Sequence, residues 1–203
     1  MNNPIKFIYF DIGGVILDWQ PELDALSHKH KLPRAKLEKA FDIHQKPSLR
    51  GTLDINEFWK RLKKDLAITS EENFDFTLFS MQQFKPIHLT HAFVKKLFKT
   101  IPVGLLTNIS PGYFELSLTH GHIPDINYHA VIQSCDIGFI KPEKEIYLYA
   151  QEKAGVDPHE ILFTDDVEEN VEAAKSLGWQ GVVFDTANPQ LSINKLTKII
   201  GLT

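Results

Sequence analysis

Cysteine is all but missing from this sequence. Cys135 is the single thiol among 203 residues, so no disulfide can close within the chain, and a reducing compartment fits. An excess of positive charge is missing as well. Lys and Arg number 22 against 26 Asp and Glu, the formal net charge is -4, and no basic block stands out. That excludes a chain that grips nucleic acid mainly through its phosphates, and an anionic small molecule would need a local positive site. No stretch approaches the roughly 18–20 apolar residues that span a bilayer. The amino-terminal run MNNPIKFIYFDIGG is interrupted by Asp11 before it reaches signal-peptide length. Repeats at a fixed period and low-complexity tracts are not found. The expectation is a soluble, cytoplasmic domain with no membrane and no nucleic-acid partner. With 43% hydrophobic residues it can bury a core, as one large domain or as a domain carrying an insertion.

What the chain does contain is a series of short, almost wholly apolar runs, each followed by a helical pattern. They fall at residues 5–10, 102–107, 130–134 and 161–164, with a fifth at 181–184 after Gly178. Runs that do not alternate between apolar and polar residues mark strands buried on both faces of a parallel sheet. The stretches 91–100, 113–120, 143–154 and 170–177 carry the 3.6-residue period of helices. Repeated strand–helix units predict an α/β fold with a doubly wound, Rossmann-like parallel sheet. In such sheets a ligand sits beyond the carboxyl ends of the strands, which directs attention to Asp11, to residues 107–110 and to Asp165 with Asp166. Residues 19–85 break the alternation. Helical spacing at Leu23, Leu26, Leu37, Ala40 and Phe41, and again at Phe58, Trp59, Leu62 and Leu66, predicts an inserted bundle of about four helices. Pro33, Pro47, Gly51 and Pro86 are the expected breaks. The division is therefore 1–18 with 86–203 as an α/β core, and 19–85 as a helical insertion.

Asp11 ends the first apolar run and enters Ile-Gly-Gly. It reads equally as a turn-forming Asp that caps backbone amides, or as a nucleophile or metal ligand with Gly13 and Gly14 admitting a close ligand. Asp165 and Asp166 end the fourth run just before a helix. Adjacent carboxylates at a buried strand end repel unless a cation compensates, and a hard divalent ion such as Mg²⁺ does so. The alternative makes one Asp a helix cap and leaves the other exposed; a meeting of Asp11 with Asp166 in space decides between them. Thr107, Asn108 and Ser110 offer hydroxyls and backbone amides to an oxyanion, or ordinary helix caps. Lys141 lies in a loop after the third run, where Pro142 stiffens the chain. Arg50 and Gly51 form a turn from which the guanidinium either reaches a ligand or stays in solvent. The His28/His30 and His120/His122 pairs lack a third clustered ligand and read as surface or loop residues; Cys135 reads as a small packing residue.

Taken together, Asp11, Thr107, Lys141 and Asp165-Asp166, in this order and at successive strand ends, resemble the haloacid dehalogenase superfamily, which consists mainly of phosphatases working through an aspartyl-phosphate. The likeness runs over residues 5–185, with a helical cap of the C1 type after the first motif. The opening FDIGGV is similar to a bacterial subgroup that includes sugar-1-phosphate phosphatases. The resemblance implies that Asp11 attacks phosphorus and that Thr107, with the Asn108 backbone, binds phosphoryl oxygens. Lys141 neutralises charge on the phosphoryl group and Asp11. Asp166, Asp11 and the Gly13 carbonyl bind Mg²⁺, with Asp165 acting through metal-bound water. One position departs from the pattern: phosphatases of the family carry a second Asp two residues after the nucleophile, where this chain has Gly13. Loss of a general acid and base, typically worth about 10²–10⁴-fold, predicts small substrates with good leaving groups, such as sugar-1-phosphates or acyl phosphates, or help from Asp18 or a cap residue. The same gap is shared by metal-independent haloacid dehalogenases, and a catalytically weak protein that binds a phosphorylated ligand or a partner is a further alternative. Linkers near Trp19 and at residues 84–86 would let the cap close over a substrate.

Overall fold

The computed structural model describes residues 4–69 and 74–202. Strand β1 (Phe7–Phe10) is followed by a tight turn and the short strand β2 (Leu17–Asp18). Four helices come next: α1 (Gln20–His30), α2 (Arg34–Leu49), α3 (Ile55–Leu66) and α4 (Phe76–Gln83). Strand β3 (Lys85–Pro86) then returns antiparallel to β2, with Leu17 opposite Pro86 and Asp18 opposite Lys85. From there helices and strands alternate. The order is α5 (His88–Leu97), β4 (Val103–Thr107), α6 (Tyr113–Thr119), β5 (Ala130–Gln133), α7 (Ser134–Ile137), α8 (Lys144–Ala154), β6 (Ile161–Asp165), α9 (Glu168–Ser176), β7 (Gln180–Val183) and α10 (Pro189–Ile200).

The larger sheet has five parallel strands in the order β5-β4-β1-β6-β7, so β1 lies at its centre. Residues of β1 point alternately to two apolar layers. Ile8 and Phe10 pack with Val94 and Leu97 of α5 and Ile193 and Leu196 of α10. Phe7 and Tyr9 face the other way, toward Ile146 and Tyr147 of α8 and Ala174 of α9. Covered on both sides, the strand has no polar face, which is why its sequence is an unbroken apolar run. The Tyr9 hydroxyl reaches across this layer to donate to the Ala150 carbonyl at 2.8 Å. Gly104 in β4 makes the layer possible, because a side chain there would enter the Tyr9 and Phe7 rings.

The helices α1 to α4 gather around a separate apolar cluster that includes Leu23, Leu26, Leu37, Phe58, Leu62 and Phe76. Asp54 starts α3 by accepting from the Asn56 and Glu57 amides, and Asp75 starts α4 by accepting from Leu78. Two expected breaks lie elsewhere. Pro47 is inside α2, in its final turn, and the helix ends only at Arg50 and Gly51. A proline so near the end costs one backbone hydrogen bond, and the carbonyl it frees belongs to the largely exposed Ile43. Pro86 belongs to β3 and pairs with Leu17. The β2–β3 pair and α10 were not anticipated, although Pro189 at the start of α10 and Gly201 after its end are ordinary helix punctuation.

Gly104→Ala is expected to destabilise the fold by about 1–3 kcal/mol, since its Cβ would lie 2.5 Å from a Tyr9 ring carbon. Urea denaturation measures this directly, and an unchanged midpoint would show that the rings move aside without cost.

Candidate active site

The parallel register sets Phe10 opposite Thr164, so the residues that follow, Asp11 just past β1 and Asp165 at the last position of β6, stand side by side. The Asp11 amide still donates to the Thr164 carbonyl at 2.9 Å, which holds the two strand ends together. Asp166, one residue on, comes against the turn after β1. The ideal Cβ of a side chain at Gly14 would sit 2.1 Å from Asp166 Oδ2, and Gly14 has a φ of +71°, so only glycine leaves room for this carboxylate. Asp11, Asp165 and Asp166 thereby place one carboxylate oxygen each within 4.8 Å of one another. Asp11 and Asp166, which the sequence left open as partners, do meet.

One ammonium faces the three acids. Lys141 is buried, with Nζ 2.9 Å from Asp11 Oδ1 and 2.6 Å from Asp165 Oδ2. Burial opposes its charge, but Asp11 and Asp165 beside it hold its pKa above the ordinary value. Asn108 fixes the backbone that carries it: Asn108 Nδ2 donates to the Lys141 carbonyl at 3.0 Å, and the Lys141 amide donates to Asn108 Oδ1 at 2.8 Å. The Asn108 side chain, which the sequence offered as a helix cap, is thus a positioning group, and Gly112 stands at the N-cap of α6. Asp165 is held from its other side, accepting from the Val167 amide at 2.8 Å and from Asn170 Nδ2 at 3.1 Å. So Asp165 braces the turn into α9, whose N-cap is Val167, and it is fully buried against Lys141 at the same time. Asn170 carries a legible signal, since it lies on the first turn of the helix that the acid pair introduces.

Burial pushes the Asp11 carboxyl up to about 7; Lys141 opposes this while Asp165 and Asp166 add to it. Burial, with Asp165, likewise raises Asp166 to about 6. Three carboxylates that a single lysine does not neutralise form a donor set suited to a hard divalent cation with oxygen ligands. A Mg²⁺ ion fits the residues present.

Thr107 is buried at the end of β4. The expected run of free amides after it is only partly there, because α6 begins at Tyr113 and the Ile109 amide donates to Ser134 Oγ at 3.0 Å. Ser110 Oγ accepts from Ser48 Oγ at 2.9 Å. Arg50 is neither at the ligand nor in free solvent: it donates to the Gly138 carbonyl at 2.8 Å and pairs with Glu143. Gly13 lies beside Trp19, whose indole Cδ1 is 3.3 Å from where a Cβ would be. Cys135 is half-buried in α7, and burial pushes its thiol up to about 11.

A cavity of about 350 Å³ opens from Asp11, Lys141 and Asp166 toward the inner faces of α1, α2 and α4. Its far wall includes Trp19, Phe41, Phe76, Tyr113 and one acid that sequence reasoning missed, Glu22. The Glu22 carboxylate accepts a hydrogen bond from Ser80, whose hydroxyl lies 3.1 Å from the Tyr113 hydroxyl. Burial raises its pKa to about 7.

The sequence pattern of the haloacid dehalogenase-like hydrolases matches residues 5–178. The chain belongs to that family and is a hydrolase by that membership. Among curated relatives, it is 26% identical over 213 residues to acyl-CoA dehydrogenase family member 10 of Mus musculus, covering 97% of this chain and 19% of that protein. It thus spans about a fifth of that relative. It is 28% identical over 199 residues to the D-ribitol-5-phosphate phosphatase of Bacteroides thetaiotaomicron, covering 92% of each. Among solved structures, a HAD family enzyme of Bacteroides thetaiotaomicron in a magnesium complex superimposes with a TM-score of 0.74 at 21% identity, covering 91% of this chain and 95% of that one.

Glu22 gives a stability test. With its pKa raised from 4.5 to about 7, the folded protein holds a proton that the unfolded chain has released between those values. That contribution is present below about pH 4.5 and is lost as pH rises through about 7. Relative to the unsubstituted protein, Glu22→Gln is therefore expected to gain about 1–3 kcal/mol between pH 5 and pH 8. Urea unfolding at the two pH values reads it, and a difference independent of pH would mean that Glu22 is already ionised in the fold.

Proposed function

We propose that this hydrolase is a Mg²⁺-dependent phosphatase that cleaves small phosphate monoesters through an aspartyl-phosphate on Asp11. The observation that supports it best is the convergence of Asp11, Asp165 and Asp166 around one buried lysine. Asp11, Asp166 and the Gly13 carbonyl would hold the ion, with Asp165 supporting it less directly; the ion would balance negative charge on the phosphoryl oxygens. A metal-independent dehalogenase has no use for three acids gathered in this way.

In this reading Asp11 Oδ1 is occupied by the Ile12 amide, at 2.7 Å, and by Lys141. The other oxygen, Oδ2, attacks phosphorus in line as the ester P–O bond breaks and the alcohol departs with a proton from water. A second water then attacks phosphorus, frees inorganic phosphate and restores the carboxylate. Lys141 and Thr107 hold the non-bridging oxygens as charge shifts among them. The helices α1 to α4, within residues 19–85, act as a cap over the core formed by 1–18 and 86–203, and exclude water from the phosphoryl group. Gly13 supplies no acid, and the Trp19 indole occupies the space beside it. Leaving groups that need little protonation are therefore favoured. A sugar phosphate, supported by the Bacteroides relative, is the second reading of the substrate, and Gln45, Ser110 and Ser117 on the cavity wall offer its hydroxyls partners.

The test is hydrolysis of p-nitrophenyl phosphate and a panel of phosphorylated metabolites, with and without Mg²⁺. Turnover should require the metal and fall by three orders of magnitude or more in Asp11→Asn, roughly the scale of losing a covalent nucleophile. Near-saturating Mg²⁺ should also raise the melting temperature by about 5–10 °C, and Asp166→Asn should abolish that rise. Undiminished turnover in Asp11→Asn, or halide release without metal, would overturn the reading.

A further inference from the structure

Glu22 has no part in the chemistry just described, yet it lines the same cavity. It is buried, and its carboxylate has one hydroxyl partner, Ser80. A buried carboxylate without a cation is costly, because one hydroxyl does not replace its lost hydration. No Lys, Arg or His among the described residues forms an ion pair with it. Lys141, the one lysine or arginine among the residues lining the cavity, is engaged by Asp11 and Asp165.

The surroundings are aromatic. Trp19 lies one helical turn before Glu22, Phe76 lies one turn before Ser80 on α4, and Tyr113 reaches Ser80 from α6. An acidic leaving group would be repelled by Glu22. A cation, in contrast, gains the carboxylate, and aromatic rings share the wall of the same cavity. A positive charge bound beside Glu22 would lower its burial-raised pKa and favour the ionised carboxylate.

We propose that Glu22 and the rings around it form a subsite for an ammonium group on the leaving alcohol, so that the substrates are phosphate monoesters of amino alcohols, with a quaternary ammonium preferred. The inference rests on the phosphatase reading and adds the substrate class to it. Quaternary nitrogen is favoured because its methyl groups fill ring faces, whereas an N–H-bearing ammonium needs more acceptors than Glu22 supplies. The choice also answers the gap at Gly13. A positive nitrogen two carbons from the ester oxygen withdraws electrons and makes the alcohol a better leaving group, lowering the demand for a general acid. Phosphocholine and water then yield choline and inorganic phosphate, with Asp11 forming and losing its bond to phosphorus in between.

The experiment compares kcat/KM for phosphocholine with that for its uncharged isostere, 3,3-dimethylbutyl phosphate, in the presence of Mg²⁺. The unaltered protein should prefer phosphocholine at least tenfold, and Glu22→Gln should lower that ratio at least tenfold. Because both esters are read on the same variant, a general loss of folded protein cancels. Turnover of p-nitrophenyl phosphate together with equal use of the two esters, or preference for the uncharged one, overturns the subsite and leaves the phosphatase reading standing. If p-nitrophenyl phosphate is not hydrolysed either, the phosphatase reading has failed, and calorimetric titration with choline judges the subsite alone. Saturable binding weakened at least tenfold by Glu22→Gln supports it, and absence of binding by the unaltered protein overturns it.

Discussion

Like charges forced together at the buried end of a sheet are the constraint around which this molecule is arranged. Asp11, Asp165 and Asp166 would separate in water, yet the pairing of β1 with β6 delivers two of them side by side and the bare backbone of Gly14 admits the third. Lys141 holds two of the acids, and Asn170 and the Val167 amide steady Asp165. What remains is negative potential beneath a cavity, an arrangement suited to a divalent ion and, through it, to a phosphoryl group. This chain therefore places its stability and the demands of its site in competition at one spot, and the surrounding apolar layers must supply what the acids take away.

Much of this was readable before any coordinates. The sheet strands reveal themselves as unbroken apolar runs because both of their faces are covered, and the acids stand out because they end those runs. The inserted helices are legible from spacing, α3 above all, where Phe58, Trp59, Leu62 and Leu66 share a stripe. Other features were hidden for physical reasons. Two-residue strands such as β2 and β3 are too short to show a period. Pro47 looks like a break because the rule against proline applies to helix interiors, and the rule weakens in a last turn where the one carbonyl set free, that of Ile43, is on an exposed residue. Arg50 could not be assigned, since its partners Gly138 and Glu143 are distant in sequence.

Glu22 is the most instructive omission. On α1 it looks like any acid of a helix's first turn, where negative charge is ordinary. Only the packing of α4 against α1, with α6 on α4, brings Ser80 and the Tyr113 hydroxyl beside it to Glu22 and removes that acid from water. Its character is therefore tertiary. Gly13 is similar: the sequence shows the missing acid, whereas the indole of Trp19 beside it becomes visible only when the chain turns back on itself.

The end of α2 rests on the segment that leads to Lys141. Leu49 accepts from Ser134, Gly51 lies against the Cys135 carbonyl, and Arg50 joins Gly138 to Glu143, whose other oxygen accepts from the Ile140 amide. One residue further along is the ammonium itself. A rocking motion of the helical layer would thus tug on the very strand of backbone that aims the charge, gearing the opening of the chamber to the readiness of its chemistry.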